Sequence, residues 1–233
     1  MATERVLIAG TGENLGYFTA LNLLKSGFKV SIIARNKEKL ENMGSELRKY
    51  GDIEYFAVDL SKREGLASLK KHFSSLNYQI KGVVVEVGGY ASDSLDSITA
   101  FDQMIEANLK IPILVLSAIS GMLDKGSSIV FITSVFASRK IAESSVSYSL
   151  SKAGLNRLVE ISAKILRQKG IRVNGISTSI ISQKPHDKDK IEWQPGTQNV
   201  DPELISNVVV FLMSDLSLGV TGNIIYVDKG SSL

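Results

Sequence analysis

Tyr148 and Lys152 stand four residues apart in Tyr148-Ser149-Leu150-Ser151-Lys152. On a helix that spacing puts a phenol and an ammonium on one face, about 6 Å apart along the axis. A cation so placed favours phenolate and draws the phenol down from its ordinary pKa of about 10, as a proton donor or acceptor working near neutrality requires. A second group, Ala9-Gly10-Thr11-Gly12-Glu13-Asn14-Leu15-Gly16, lets backbone run close to a diphosphate and offers it the free N–H groups of a helix start. Each pattern has a plain alternative: an ordinary surface pair for the first, a tight turn for the second. The surrounding elements must decide between them.

Those elements alternate between strand and helix periods from end to end. Val6, Leu7 and Ile8 make a short buried strand ending at Gly10. Tyr17, Ala20, Leu21 and Leu24 then form a helical stripe that stops at Gly27, and a second strand covers Phe28 to Ala34. Helices are expected over Lys37–Tyr50, Arg63–Leu76, Thr99–Leu123, Ser145–Lys169 and Pro202–Met213. Further strands are expected over Ile53–Val58, Gly82–Val87, Ser128–Thr133, Ile171–Ile176 and Asn223–Val227. Uniformly apolar strands separated by helices imply crossover connections and a seven-stranded parallel sheet covered on both faces. The alternation runs unbroken through all 233 residues, so one domain is expected, with a nucleotide-binding half near 1–95 and a catalytic half near 96–233. One segment breaks the rhythm. Ser182–Val200 is poor in apolar residues and contains Pro185, Pro195 and Gly196, which reads as a surface excursion or as a lid over a site at the carboxyl ends of the strands.

Composition removes several function classes. The chain has no cysteine, which excludes a disulfide framework, a thiolate zinc site and a cysteine nucleophile. Its 27 Lys+Arg against 24 Asp+Glu leave a net charge of +3, but Arg35–Lys49 and Lys184–Lys190 interleave both signs, so no nucleic-acid partner is expected. Ile111–Leu123 carries Ser117, Ser120 and Gly121 and reads as too short to span a bilayer. The chain passes from Glu4 and Arg5 straight into a strand without a signal-peptide segment, so a cytoplasmic protein without a membrane partner is expected. His72 and His186 read as surface residues, and Trp193 as either a packing anchor or a lid contact.

The motifs, taken in order, resemble the short-chain dehydrogenase/reductase family, closest to its 3-oxoacyl-carrier-protein reductase type. The resemblance rests on the glycine-rich turn, Val58-Asp59-Leu60, Glu106-Ala107-Asn108-Leu109, Ile132-Thr133-Ser134, Tyr148 to Gly154, Gly170-Ile171-Arg172-Val173-Asn174, Thr221-Gly222 and Val227-Asp228. It implies a Rossmann-type doubly wound α/β fold and hydride transfer between a nicotinamide and a carbonyl or secondary alcohol. It further implies Tyr148 as acid/base, Ser134 as the hydrogen-bonding partner of the substrate oxygen, and Lys152 on the nicotinamide ribose, lowering the Tyr148 pKa. Asn108 would hold a water in a proton relay. Cofactor contacts are implied at Gly10, Gly12, Asn14, Leu15, Gly16, Arg35, Asn36, Asp59, Leu60, Gly88 and Ile181, with no metal. Relatives assemble through the two long helices, so a homotetramer or homodimer is expected.

Ala34-Arg35-Asn36 ends the second strand with a base where an acid would hydrogen-bond a ribose 2′-hydroxyl, which favours NADP(H) over NAD(H). Glu13 opposes that preference if it faces the 2′-phosphate. The chain also departs from the family pattern. Asn14 replaces a glycine, and asparagine is the residue next most tolerant of a left-handed conformation. Glu86-Val87-Gly88-Gly89 replaces Asn-Asn-Ala-Gly, and Glu86 at a strand end must pair, face solvent or titrate upward. Thr178-Ser179 replaces Pro-Gly, and Asp228-Lys229-Gly230 replaces Asp-Gly-Gly. Two other readings follow: a nucleotide-binding or regulatory protein that has kept the fold with little activity, and an enoyl reductase. The latter calls for a longer Tyr to Lys spacing, and no lysine lies seven residues after Tyr148.

Overall fold

The computed structural model describes residues 4–75, 79–183 and 194–233. Its first half runs β1 (Arg5–Ala9), α1 (Leu15–Lys25), β2 (Lys29–Ala34), α2 (Lys37–Leu47), β3 (Ile53–Ala57), α3 (Arg63–Ser74) and β4 (Ile80–Val85). The second half runs α4 (Phe101–Ile105), α5 (Ile111–Ile119), β5 (Leu123–Ser134), α6 (Val146–Leu166), β6 (Arg172–Thr178), β7 (Ile180–Ile181), β8 (Asn199–Val200), α7 (Pro202–Met213) and β9 (Ile224–Val227).

Seven strands form one sheet in the order β3-β2-β1-β4-β5-β6-β9, and every neighbouring pair is parallel. Period two along each strand sorts the core into two layers. Val6, Ile8, Val30, Ile32, Val84 and Ile176 face one side with α1 and α7. Leu7, Ala9, Ile33, Val83, Val85 and Phe131 face the other with α3, α5 and α6. Each large aliphatic side chain so buried contributes about 1.5–3 kcal/mol, which is why both faces must be covered. The strand order reverses between β1 and β4, and a parallel sheet opens a crevice at the carboxyl ends of such a pair.

The expected alternation holds, with informative shifts. β4 spans Ile80–Val85 rather than Gly82–Val87, because its register with β1 ends at Ala9↔Val85. Glu86 and Val87 therefore leave the sheet and enter the crevice. The helix expected over Thr99–Leu123 starts at Phe101 and is interrupted by a π-helical turn at Glu106–Lys110, and β5 begins directly at Leu123. Over Phe101–Met122 it is long and apolar enough to cross a membrane, contrary to the shorter span read from the sequence. Met104, Ile111, Val115 and Ile119 are nevertheless buried, the last three in the layer that also holds Val83 and Phe131. β7 and β8 pair as a two-residue ribbon, β8 being the last two residues of the expected lid, whose residues 184–193, including His186 and Trp193, lie outside the described residues. His72 is half-buried and stacks on Phe56 at 4.3 Å between ring centroids.

Candidate active site

The glycine-rich turn leaves β1 at the reversal point. Gly10 has φ +89°, and a β-carbon there would come within 2.6 Å of the Val87 nitrogen, so no other residue allows β1 and β4 to exit side by side. A β-carbon on Gly16 would stand 2.7 Å from Thr11 Cγ2 and 3.0 Å from Glu86 Oε2. Gly12, by contrast, borders open space. Asn14 precedes α1 with φ −103°, so the left-handed conformation expected of it is not used. It gives the helix no side-chain cap; its Nδ2 donates instead to the Ser182 carbonyl at 2.8 Å.

Two cavities open from this turn. One, about 340 Å³, is lined by Gly10, Arg35, Asn36, Asp59, Leu60 and Gly88 among others. The other, about 530 Å³, is lined by Gly10, Gly12, Asn14, Leu15, Gly16 and Gly88, and beyond them by Tyr148, Lys152 and Ile181. Gly10 and Gly88 line both; the other sequence-predicted cofactor residues divide between the two compartments. In the first, Asn36 Oδ1 accepts from the Lys39 N–H at 3.0 Å and caps α2. Asp59 accepts from the Ser61 N–H and hydroxyl at 3.0 and 2.7 Å, which hold its carboxyl below the usual carboxylate range. Arg35 is exposed at the rim, and Glu13 is ion-paired with Lys39.

In the second compartment α6 supplies both Tyr148 and Lys152, its buried side formed by Ser147, Ser151, Leu155 and Val159. Lys152 is 6% exposed, and its Nζ donates to the Ile132 carbonyl at 3.1 Å. Burial pulls its pKa down to about 8. Asn108, on the π-helical turn, is fully buried; its amide exchanges 3.0 Å hydrogen bonds with the N–H and carbonyl of Gly89 and donates to Ser151 Oγ at 3.2 Å. Gly88 closes this cluster, since a β-carbon there would meet Asn108 Oδ1 at 2.7 Å and Lys152 Nζ at 3.3 Å. Ser134, at the end of β5, accepts from the Phe136 N–H at 3.3 Å and hydrogen-bonds toward Tyr148. Asn108 and Ser134 stand behind the cavity wall rather than on it.

The expected lowering of the Tyr148 pKa is not found. Burial raises the phenol, Ser134 opposes the rise, and the Lys152 Nζ lies 5.9 Å from the ring centroid with its own charge disfavoured by burial. Tyr148 therefore rests as a neutral acid.

Sequence reasoning missed Tyr90. It lines the second cavity, packs edge-to-face on Tyr148 at 5.1 Å, and shares a 2.7 Å hydrogen bond with Ser145 Oγ. Ser145 and Ser92 hold its phenol below the ordinary range, the opposite direction to Tyr148. No spacing marks it; its contacts come from Tyr148 and Ser145, more than fifty residues away in sequence. Among the described residues no group of His, Asp or Glu is arranged to hold a metal ion.

Residues 9–232 match the family model described as enoyl-(acyl carrier protein) reductase. The enoyl-(acyl-carrier-protein) reductase (NADH) of Neisseria meningitidis serogroup B is 29% identical over 257 residues, covering 99% of this chain and 95% of that protein. The rhamnolipids biosynthesis 3-oxoacyl-(acyl-carrier-protein) reductase of Pseudomonas aeruginosa is 24% identical, covering 100% and 98%. Among solved structures, a short-chain type dehydrogenase/reductase from Mycobacterium ulcerans superposes with a TM-score of 0.88 at 24% identity, covering 100% of this chain and 90% of that one. The RhlG/NADP active-site complex of Pseudomonas aeruginosa gives 0.87 at 23%, covering 100% and 98%. The two structures establish likeness of fold.

Proposed function

Since the chain belongs to the short-chain dehydrogenase/reductase family, we propose that it transfers a hydride between NADP(H) and the carbonyl of a small-molecule substrate, a 3-oxoacyl thioester first among candidates. The observation that carries this reading is the convergence of Tyr148, Lys152 and Gly88 on one cavity, with Asn108 buttressing its floor. The two joined cavities suit a dinucleotide. Gly10 and Gly16 have no room for a side chain, α1 starts without a side-chain cap, and Arg35 stands on the far wall where a 2′-phosphate would add charge.

When bound, the nicotinamide supplies the hydride for the carbonyl carbon. The chain's own residues handle the proton. Tyr148, resting neutral, donates its phenolic proton to the carbonyl oxygen, and Ser134, behind the cavity wall and hydrogen-bonded to Tyr148, orients the phenol for that transfer. Lys152, still cationic below about pH 8, stabilises the phenolate left behind and holds ribose hydroxyls. Asn108 keeps Gly89 in place through two hydrogen bonds, leaves no room for a side chain at Gly88, and would hold the water of a proton relay that restores Tyr148. Ile113 on α5 and Leu150, Ile161 and Ile165 on α6 are exposed, which supports assembly of identical chains through the two long helices.

The matched family's description favours a second reading, reduction of an enoyl thioester. Against it, Ser145 rather than a tyrosine stands seven residues before Lys152. NADPH oxidation measured with a 3-oxoacyl thioester and with a trans-2-enoyl thioester separates the two. Turnover of the first alone is expected, and turnover of the second alone would replace this reading by the other. Binding of neither NADPH nor NADH at millimolar concentration would point to a fold kept without activity.

A further inference from the structure

The two cavities meet at a junction of three residues, Gly10, Glu86 and Gly88, which alone among the described residues line both. Two of the three bring no side chain. The junction is therefore faced by one side-chain functional group, the Glu86 carboxyl, at the reversal point of the sheet where β4 releases it beside the glycine-rich turn. A dinucleotide filling both compartments must carry its diphosphate past this group.

We infer that Glu86 meets the diphosphate as a neutral carboxylic acid that donates a hydrogen bond, so that dinucleotide binding takes up a proton from solvent and weakens as pH rises. The inference rests on the dinucleotide reading given above.

The surroundings of Glu86 support the neutral form. Its Oε1 accepts from the Thr19 hydroxyl on α1 at 2.7 Å, and its Oε2 lies against Gly16. The charged or titratable groups around the two cavities are Glu13 on the turn, Arg35 and Asp59 on one side, and Tyr90, Tyr148 and Lys152 on the other. Glu13 is taken up by Lys39. α1 presents only the Thr19 hydroxyl, and no ion pair reaches Glu86 among the described residues. Burial without a cation pushes the carboxyl up to about 7, and Thr19 only partly offsets this. An ionised Glu86 would turn a full negative charge toward a doubly negative ligand, whereas the protonated acid offers it a donor. Protonated and ionised forms are both present near neutrality, so the linkage is visible there.

The test is direct binding, with no turnover involved. NADH is the probe, because it lacks the 2′-phosphate whose own titration would add to the signal. Fluorescence titrations from pH 6 to 9 should show the ratio of Kd for the unaltered protein to that for Glu86→Gln climbing at least about tenfold, since each pH unit above the carboxyl pKa weakens binding toward tenfold. Lys152 titrates in both proteins and cancels in the ratio. A ratio constant with pH would overturn the inference. If Glu86→Gln does not fold, an indicator dye in weak buffer at pH 7 decides with the unaltered protein. Uptake of about half a proton per NADH bound is expected from Glu86, against at most roughly a tenth from Lys152. Uptake no larger than that tenth, or proton release, would overturn the inference. Failure of the chain to bind any dinucleotide would remove both the proposed function and this inference; binding with a flat ratio or without the uptake would remove only the latter.

Discussion

The Asn14 side chain donates to the Ser182 carbonyl at 2.8 Å, joining the turn after β1 to the exit of β7 across 168 residues of chain. Ser182 is held a second time, its N–H donating to the Val200 carbonyl at 2.9 Å, so Asn14 ties the turn to a paired ribbon rather than to a single strand. A side chain at a place normally left to glycine thus closes one edge of the cavity that holds Tyr148 and Lys152.

Replacing Asn14 by alanine removes that tie while keeping a β-carbon at the start of α1. One partly buried hydrogen bond is worth about 0.5–1.5 kcal/mol, which for a chain of this size lowers Tm by about 1–6 °C. NADPH dissociation followed by stopped-flow fluorescence should also quicken several-fold. Unchanged values of both would show that the bond contributes nothing to closure.

Tyr148→Phe removes one oxygen and keeps the aromatic packing with Tyr90 and Phe136. Carbonyl reduction should fall by about 10²–10⁴-fold or more while the Kd for NADPH stays within about twofold. Steady-state rates set beside a fluorescence titration check both halves. Retained turnover would move the proton to another group, Tyr90 being the first to examine.

Arg35→Ala tests dinucleotide choice. Hydrogen bonds to a charged group are worth about 1.5–3 kcal/mol, so NADPH should bind about 10- to 100-fold more weakly while NADH is nearly unaffected. Equal losses for the two dinucleotides would mean that Arg35 does not read the 2′-phosphate.

Lys152→Met sets stability against activity. Burial lowers the folded-state pKa of Lys152 from 10.5 to about 8, so its protonation costs stability increasingly as pH falls from 10.5 toward 8, and in full below that. The variant should therefore melt higher than the unaltered protein at pH 7, with the gain vanishing above pH 10.5, and should lose reductase activity by at least about 100-fold. Melting curves at pH 7 and at pH 9.5 provide the comparison. A lower Tm at pH 7 would show that the bond to Ile132 outweighs the cost of burying the charge.

Period and punctuation in the sequence were enough for the parallel sheet, because a strand buried on both faces must be apolar throughout and a crossover helix must show its stripe whatever its neighbours are. Tyr148 and Lys152 were legible for a similar reason: four residues on a helix bring them together with no help from the rest of the fold. The places of Arg35, Asp59 and the glycine-rich turn were legible because each follows a strand at its carboxyl end.

Properties that depend on non-local partners were not legible. That Glu13 is satisfied by Lys39, that Asn14 reaches Ser182, and that Tyr90 leans on Tyr148 all require chain segments far apart to be brought together. The direction of the Tyr148 shift was misjudged for the same reason. Spacing reports that a cation is near, but the extent of burial decides whether desolvation or attraction prevails, and burial is set by packing. Glu86 shows the division most clearly. From its neighbours in sequence it could pair, face solvent or titrate upward. The β1–β4 register ends one residue before it, and that end places its carboxyl without a cation where both cavities meet, leaving burial to raise its pKa.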